Sequence, residues 1–292
     1  MHPPPVAVLL AAGPVQRQGE GPMPITDWDD AYANAPYIEG ADAIAAAWPD
    51  RSAALRARHA SETHAYGDAD RQVFDLYRPA GATLGLAVFV HGGYWQRFSG
   101  RDFAFVAKAA LEEGFAVALP TYTLAPAASV AAITGEIRQA ITMAAGLIDG
   151  PVHLAGHSAG GYLVTRMVCA DGLAAPVADR VAPVLSISGV HDLRPLQKTA
   201  MADPLGLTSE MAGAESPALL RPATRADIAC VVGAEERPEF LRQTDLLANI
   251  WTGLGADIRA LHMPRRHHFD IIDDLADRGS ALSRLWLDQR IS

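Results

Sequence analysis

Val152-His153-Leu154-Ala155-Gly156-His157-Ser158-Ala159-Gly160-Gly161-Tyr162-Leu163-Val164 is the stretch on which the fold turns. Its first four residues read as a buried strand and the pattern from Ala159 as a helix, so the chain must reverse sharply between them. A serine at such a reversal is held in a strained backbone conformation, and glycines two residues either side let the chain bend without a Cβ clash. Its hydroxyl then projects beside a helix N-terminus, whose free N–H groups favour an anion. Ser158 is the candidate nucleophile; the plainer alternative is an incidental serine in a glycine-rich turn.

Outward from this stretch, short β-rich apolar runs alternate with longer helical patterns from residue 70 onward, as in parallel strands joined by crossover helices. Strands are expected at 72–77, 86–90, 116–119, 152–155, 184–188, 229–232 and 258–262, several of them continuous apolar runs that suit burial on both faces. Helices are expected at 102–113, 130–148, 159–169, 238–252 and 280–289. The fold class is α/β, a mostly parallel central sheet with helices on both faces. Residues 24–66 read as one or two helices with aromatic residues. Residues 192–224, rich in Pro, Ala and Met, read as a small lid or cap insertion, because they follow a strand's carboxyl end.

The 292 residues, 50% hydrophobic and 20% charged, suit a single domain over 23–292 after a disordered leader at 1–22, rich in Pro, Gly and Gln. A net charge of −9 argues against a nucleic-acid or anionic-membrane binder, which needs a basic surface. No apolar run approaches the roughly 20 residues of a membrane-spanning helix. The run 6–12 resembles a signal-peptide core, but three prolines rather than Lys or Arg precede it. The expectation is a soluble, cytoplasmic monomer or homodimer acting on a small-molecule acyl substrate. Cys169 and Cys230 lie in apolar stretches and read as buried free thiols.

His91-Gly92-Gly93-Tyr94-Trp95 follows the strand at 86–90, where donors to an oxyanion belong. Gly92 and Gly93 offer unobstructed backbone N–H groups, joined by that of Ala159, and losing one such donor typically costs about 3 to 4 kcal/mol. Tyr94 and Trp95 beside them are candidates for an aromatic wall around substrate, and His91, at a buried strand end, reads as structural. Serine needs a base, and after this kind of elbow the acid and then the histidine follow in chain order. Glu235 and Glu236 occupy the loop after the strand at 229–232; His267 and His268 occupy the loop after 258–262. Adjacent loop residues point either way, so both pairs stay open on the residues alone.

Taken together, His91-Gly92-Gly93-Tyr94-Trp95, Gly156-His157-Ser158-Ala159-Gly160-Gly161, Glu236-Arg237-Pro238-Glu239-Phe240 and His268-Phe269-Asp270 resemble the kynurenine formamidase (arylformamidase) family of α/β-hydrolases. The resemblance covers about 26–275 and extends to proteins described as esterases or thioesterases. It implies a triad of Ser158, Glu236 and His268, without metal or organic cofactor, hydrolysing an N-formyl aryl amine such as N-formylkynurenine in tryptophan catabolism. The acid of the family is usually Asp and here is Glu, and relatives tend to carry another residue where His267 stands. The alternatives are a carboxylesterase or thioesterase on short acyl esters and, more remotely, an inactive binding protein.

Overall fold

The computed structural model describes residues 24–287. The leader at 1–22 and the last residues of the helix expected at 280–289 lie outside them. After a short helix α1 (Trp28–Tyr32) and a longer one, α2 (Ala41–Arg56), the chain enters the sheet through β1 (Ser61–Ala65), β2 (Val73–Tyr77) and β3 (Leu86–Val90). It then alternates through α3 (Ala107–Glu112), β4 (Ala116–Thr121), α4 (Val130–Leu147), β5 (Val152–His157), α5 (Ala159–Met167) and α6 (Ala175–Ala178). The remaining elements are β6 (Val181–Ile187), α7 (Ser209–Glu215), β7 (Ile228–Gly233), α8 (Pro238–Gly253), β8 (Ile258–Met263) and α9 (Ala281–Trp286).

The eight strands are ordered β1-β2-β4-β3-β5-β6-β7-β8. The last six are parallel, and β2 joins β4 antiparallel, with β1 antiparallel at the edge. The α/β class is as expected; β1 is an addition to it. Its residues, Ser-Glu-Thr-His-Ala, lack an apolar alternation, because an edge strand has little to bury.

Burial on both faces accounts for the continuous apolar strands. Along β3, Leu86, Val88 and Val90 join the core beneath α4 and α5, while Ala87 and Phe89 point into a second core with α3 and α9. The helix expected over 102–113 divides: Ser99 and Asp102 form a capping box that starts a 3₁₀ stretch at Gly100, and Phe103 leaves helical geometry before α3 begins.

The order reverses between β3 and β5, which pair in parallel with Val90 opposite Gly156. Such a switch point opens a crevice at the strands' carboxyl ends, which is where ligands bind in open α/β sheets.

Candidate active site

Ser158 sits at that crevice with φ 56° and ψ −117°, between β5 and α5. The glycines around it are set by close approach: a Cβ on Gly156 would lie 2.1 Å from the Gly160 carbonyl oxygen, and one on Gly160 1.9 Å from that of Val90. The Ser158 N–H donates to Ile187 O at 2.8 Å, tying the elbow to the end of β6.

Gly92 lies against the serine, since a Cβ there would come within 2.9 Å of Ser158 Cβ. The loop after it coils through left-handed conformations at Gly93 (φ 106°), Tyr94 (φ 52°) and Trp95 (φ 57°), closed by the Gln96 and Arg97 N–H groups donating to Gly93 O at 2.9 and 3.1 Å. This coil sends consecutive side chains to opposite fates. Tyr94 lines a cavity of about 90 Å³ that also holds Ser158, His157 and His268. Its hydroxyl donates to Tyr32 O and accepts from Asn34 Nδ2 at 3.1 Å. Trp95 does not form a wall of that cavity, contrary to the expectation from its neighbourhood. It is fully buried in the core, edge-on to Tyr162 with ring centroids 5.3 Å apart.

The paired candidates are separated by geometry. His268 Nδ1 lies 2.6 Å from Glu236 Oε2, both side chains being buried. A carboxylate accepts here, so Nδ1 carries a proton, and in the neutral ring it is Nε2 that keeps the lone pair. Glu236 Oε1 accepts from the Gly233 N–H at 2.7 Å and from the Ser188 hydroxyl at 2.5 Å. Glu235 is exposed. His267 turns its Nδ1 toward the N–H groups of Phe269 and Asp270, each at 3.2 Å, and so caps its own loop.

The His268 ring is held between the rings of His157 and Phe240, each centroid 4.6 Å away. His157 Nε2 donates to His268 O at 2.9 Å, and burial together with the adjacent His268 keeps His157 far below the usual histidine range. His91 is buried beside Tyr122, rings parallel at 4.2 Å, and desolvation pushes it down to about 3, which suits its structural reading.

Residues 192–224 contribute nothing to the lining of this cavity. They are fastened down instead: buried Arg166 and the Tyr162 hydroxyl both bond to Glu215 at 3.1 Å, and the Trp251 indole donates to Pro217 O at 3.1 Å. The lining comes instead from the segment 24–66 read as helices with aromatic residues, through Ala35, Asp42, Ala45 and Trp48, which form the cover. Trp48, Phe98, Phe103 and Phe269 give the cavity its aromatic walls, with Arg97 at the mouth.

Several of these residues escaped sequence reasoning. Ser188 stands 48 positions from the carboxylate it contacts, and only its place just after a strand marks it. Cys169 and Cys230 are buried and free, their thiols pushed up to about 12 by burial. Among the described residues, no group of three or more His, Cys, Asp and Glu is arranged to hold a metal ion, and no helix is long and apolar enough to cross a membrane.

An elbow serine at the switch point of a mostly parallel sheet, with a buried carboxylate–histidine pair in the next strand-end loops, defines a class, and the chain belongs to it: the alpha/beta hydrolase family matches residues 87–289. Within that family it is similar to kynurenine formamidases of Danio rerio, 28% identical over 81% of this chain and 85% of the relative, and of Salmo salar, 29% identical over 76% and 79%. A solved structure from Silicibacter sp. TM1040, provisionally assigned as a thioesterase, shares 41% identity over 89% of this chain and 99% of its own, with a TM-score of 0.85. Esterase 2 of Thermogutta terrifontis, 19% identical over 78% of this chain and 92% of its own, has the same fold at a TM-score of 0.62.

Proposed function

We propose that this chain is a serine hydrolase that cleaves a small acyl amide, acting as an arylformamidase on N-formylkynurenine or a similar N-formyl aryl amine. The observation that carries this reading is the 2.6 Å contact from His268 Nδ1 to Glu236, which leaves His268 Nε2 as a base in the cavity that also holds Ser158. Ser158 Oγ attacks the formyl carbon as His268 Nε2 accepts its proton, and Glu236 stabilises the imidazolium. Negative charge on the former carbonyl oxygen is met by the N–H groups of Gly92, Gly93 and Ala159. His268 returns the proton to the departing aryl amine. Water, activated by the same histidine, then releases formate from Ser158.

The names of the Danio and Salmo relatives support the formyl amide, and the aromatic walls suit an aryl leaving group. A second reading, hydrolysis of short acyl esters or thioesters in the cytoplasm by the same steps, is favoured by the provisional assignment of the 41%-identical structure. Purified protein assayed on N-formylkynurenine and on phenyl acetate, butyrate and hexanoate separates the two. The formamide should have the highest kcat/KM, and rates on the esters should fall with chain length. Esters faster by orders of magnitude would overturn the formamidase reading. Ser158→Ala should lose about 10³-fold or more in kcat and all labelling by a fluorophosphonate probe; retention of a few per cent of activity would overturn the serine mechanism.

A further inference from the structure

Around Ser158 the cavity is aromatic, yet two charged residues of opposite sign stand at its mouth, apart from the histidines within. Asp42 comes from the first turn of α2 and Arg97 from the loop after β3. Among the described residues, neither side chain has a hydrogen bond or ion pair, and the two do not pair with each other. Other arginines of the described residues are paired: Arg51 of α2 with Asp273 at 2.6 Å, Arg101 with Asp75 at 2.7 Å and Arg266 with Asp274 at 2.6 Å. Both are also held in place. The Arg97 N–H donates to Gly93 O, and its guanidinium lies 4.8 Å from the centre of the Phe98 ring. α2 is fixed to the body by Ser52 Oγ donating to Asp102 O at 2.7 Å.

A mouth of one sign selects an anion or a cation. Opposite signs on two separate lining segments, one on the cover and one on the loop, fit a group that carries both. We infer that Arg97 and Asp42 are specificity-determining residues that select an aryl leaving group bearing a zwitterionic head, Arg97 taking its carboxylate and Asp42 its ammonium. The inference rests on the acyl-hydrolase reading of Ser158, and it assigns the pair to recognition rather than to bond cleavage.

The test uses acetate esters of four matched phenols: p-cresol, 3-(4-hydroxyphenyl)propanoate, tyramine and tyrosine. Each kcat/KM is expressed relative to the p-cresyl ester. Arg97→Gln should lower the ratio for the propanoate and tyrosine esters about fivefold, the scale of one exposed ion pair. Asp42→Asn should do the same for the tyramine and tyrosine esters. Ratios that move less than twofold, or four esters that fall in parallel, overturn the assignment. A wild type inert on all four overturns it, and one inert on N-formylkynurenine as well overturns the hydrolase reading too. The expected ratios with N-formylkynurenine left intact support the pair and overturn the formamide preference alone.

Discussion

Ser188 donates its hydroxyl to Glu236 Oε1 at 2.5 Å from a left-handed backbone (φ 53°) in a fully buried position. A side chain other than glycine in that conformation is strained, and strain of this kind persists where surrounding structure enforces it. With Gly233 it occupies one carboxylate oxygen and leaves the other to His268. Ser188→Ala should lower kcat about 10- to 100-fold, the scale of a hydrogen bond to a charged group. Ser188→Gly relieves the strain but also lacks the donor, and should share the kinetic loss while unfolding at a higher temperature than the alanine variant.

Gly92→Ala should damage turnover directly. The added Cβ meets His157 O at 2.7 Å and Ser158 Cβ at 2.9 Å, so the loop must move away from the serine. A displaced oxyanion donor should cost about 10²- to 10³-fold in kcat, measured at saturating substrate. A variant with wild-type kcat would remove Gly92 from the proposed site.

Trp95 and Tyr94 should respond in opposite ways. Trp95→Ala opens a cavity in the core and should destabilise the fold by about 3 to 5 kcal/mol in urea titrations, with little change in KM. Tyr94→Leu keeps an apolar side chain against the core and should raise KM, since the lost ring lines the cavity. A raised KM in the Trp95 variant alone would contradict this division.

Stability should decline on mild acidification. His91 and His191 are buried and desolvation pushes both down to about 3, against about 6.5 in an unfolded chain. Between those values the unfolded state binds a proton that the folded state does not, so stability falls as pH drops from about 6.5 toward about 3 and levels off below. Each should contribute a loss of about 2 kcal/mol by pH 5, and His157 acts in the same direction. Urea midpoints at pH 7.5 and 5.0 read this; equal midpoints would contradict it.

The sheet was legible where burial is two-sided. The β3 expectation at 86–90 coincides with the structure, because a run of five apolar residues leaves a strand little alternative. β6 starts three residues before its expected beginning, since Pro183 disguises a strand whose register against β5 shifts at that point. Ser158 was legible because an elbow is local. Glu236 and His268 were not separable from Glu235 and His267 by spacing alone; resemblance to a family singled them out, and the contact between them agrees. Ser188, Asp42 and Trp48 had no local signature, because each acts on a group reached only after the chain has folded back. The lining by 35–48, rather than by 192–224, was hidden for the same reason: which segment lies over a crevice depends on anchors such as Arg166 to Glu215 that are far apart along the chain.

The cover that carries Asp42 and Trp48 precedes the first strand, whereas every group proposed to act on the acyl carbon follows a strand of the sheet. Part of the pocket's lining is thus written in a block of the chain apart from the groups proposed for the chemistry. Substitutions within 35–48 should therefore reshape this part of the lining without moving a strand out of register, a short segment in which the pocket can drift while the sheet stays as it is.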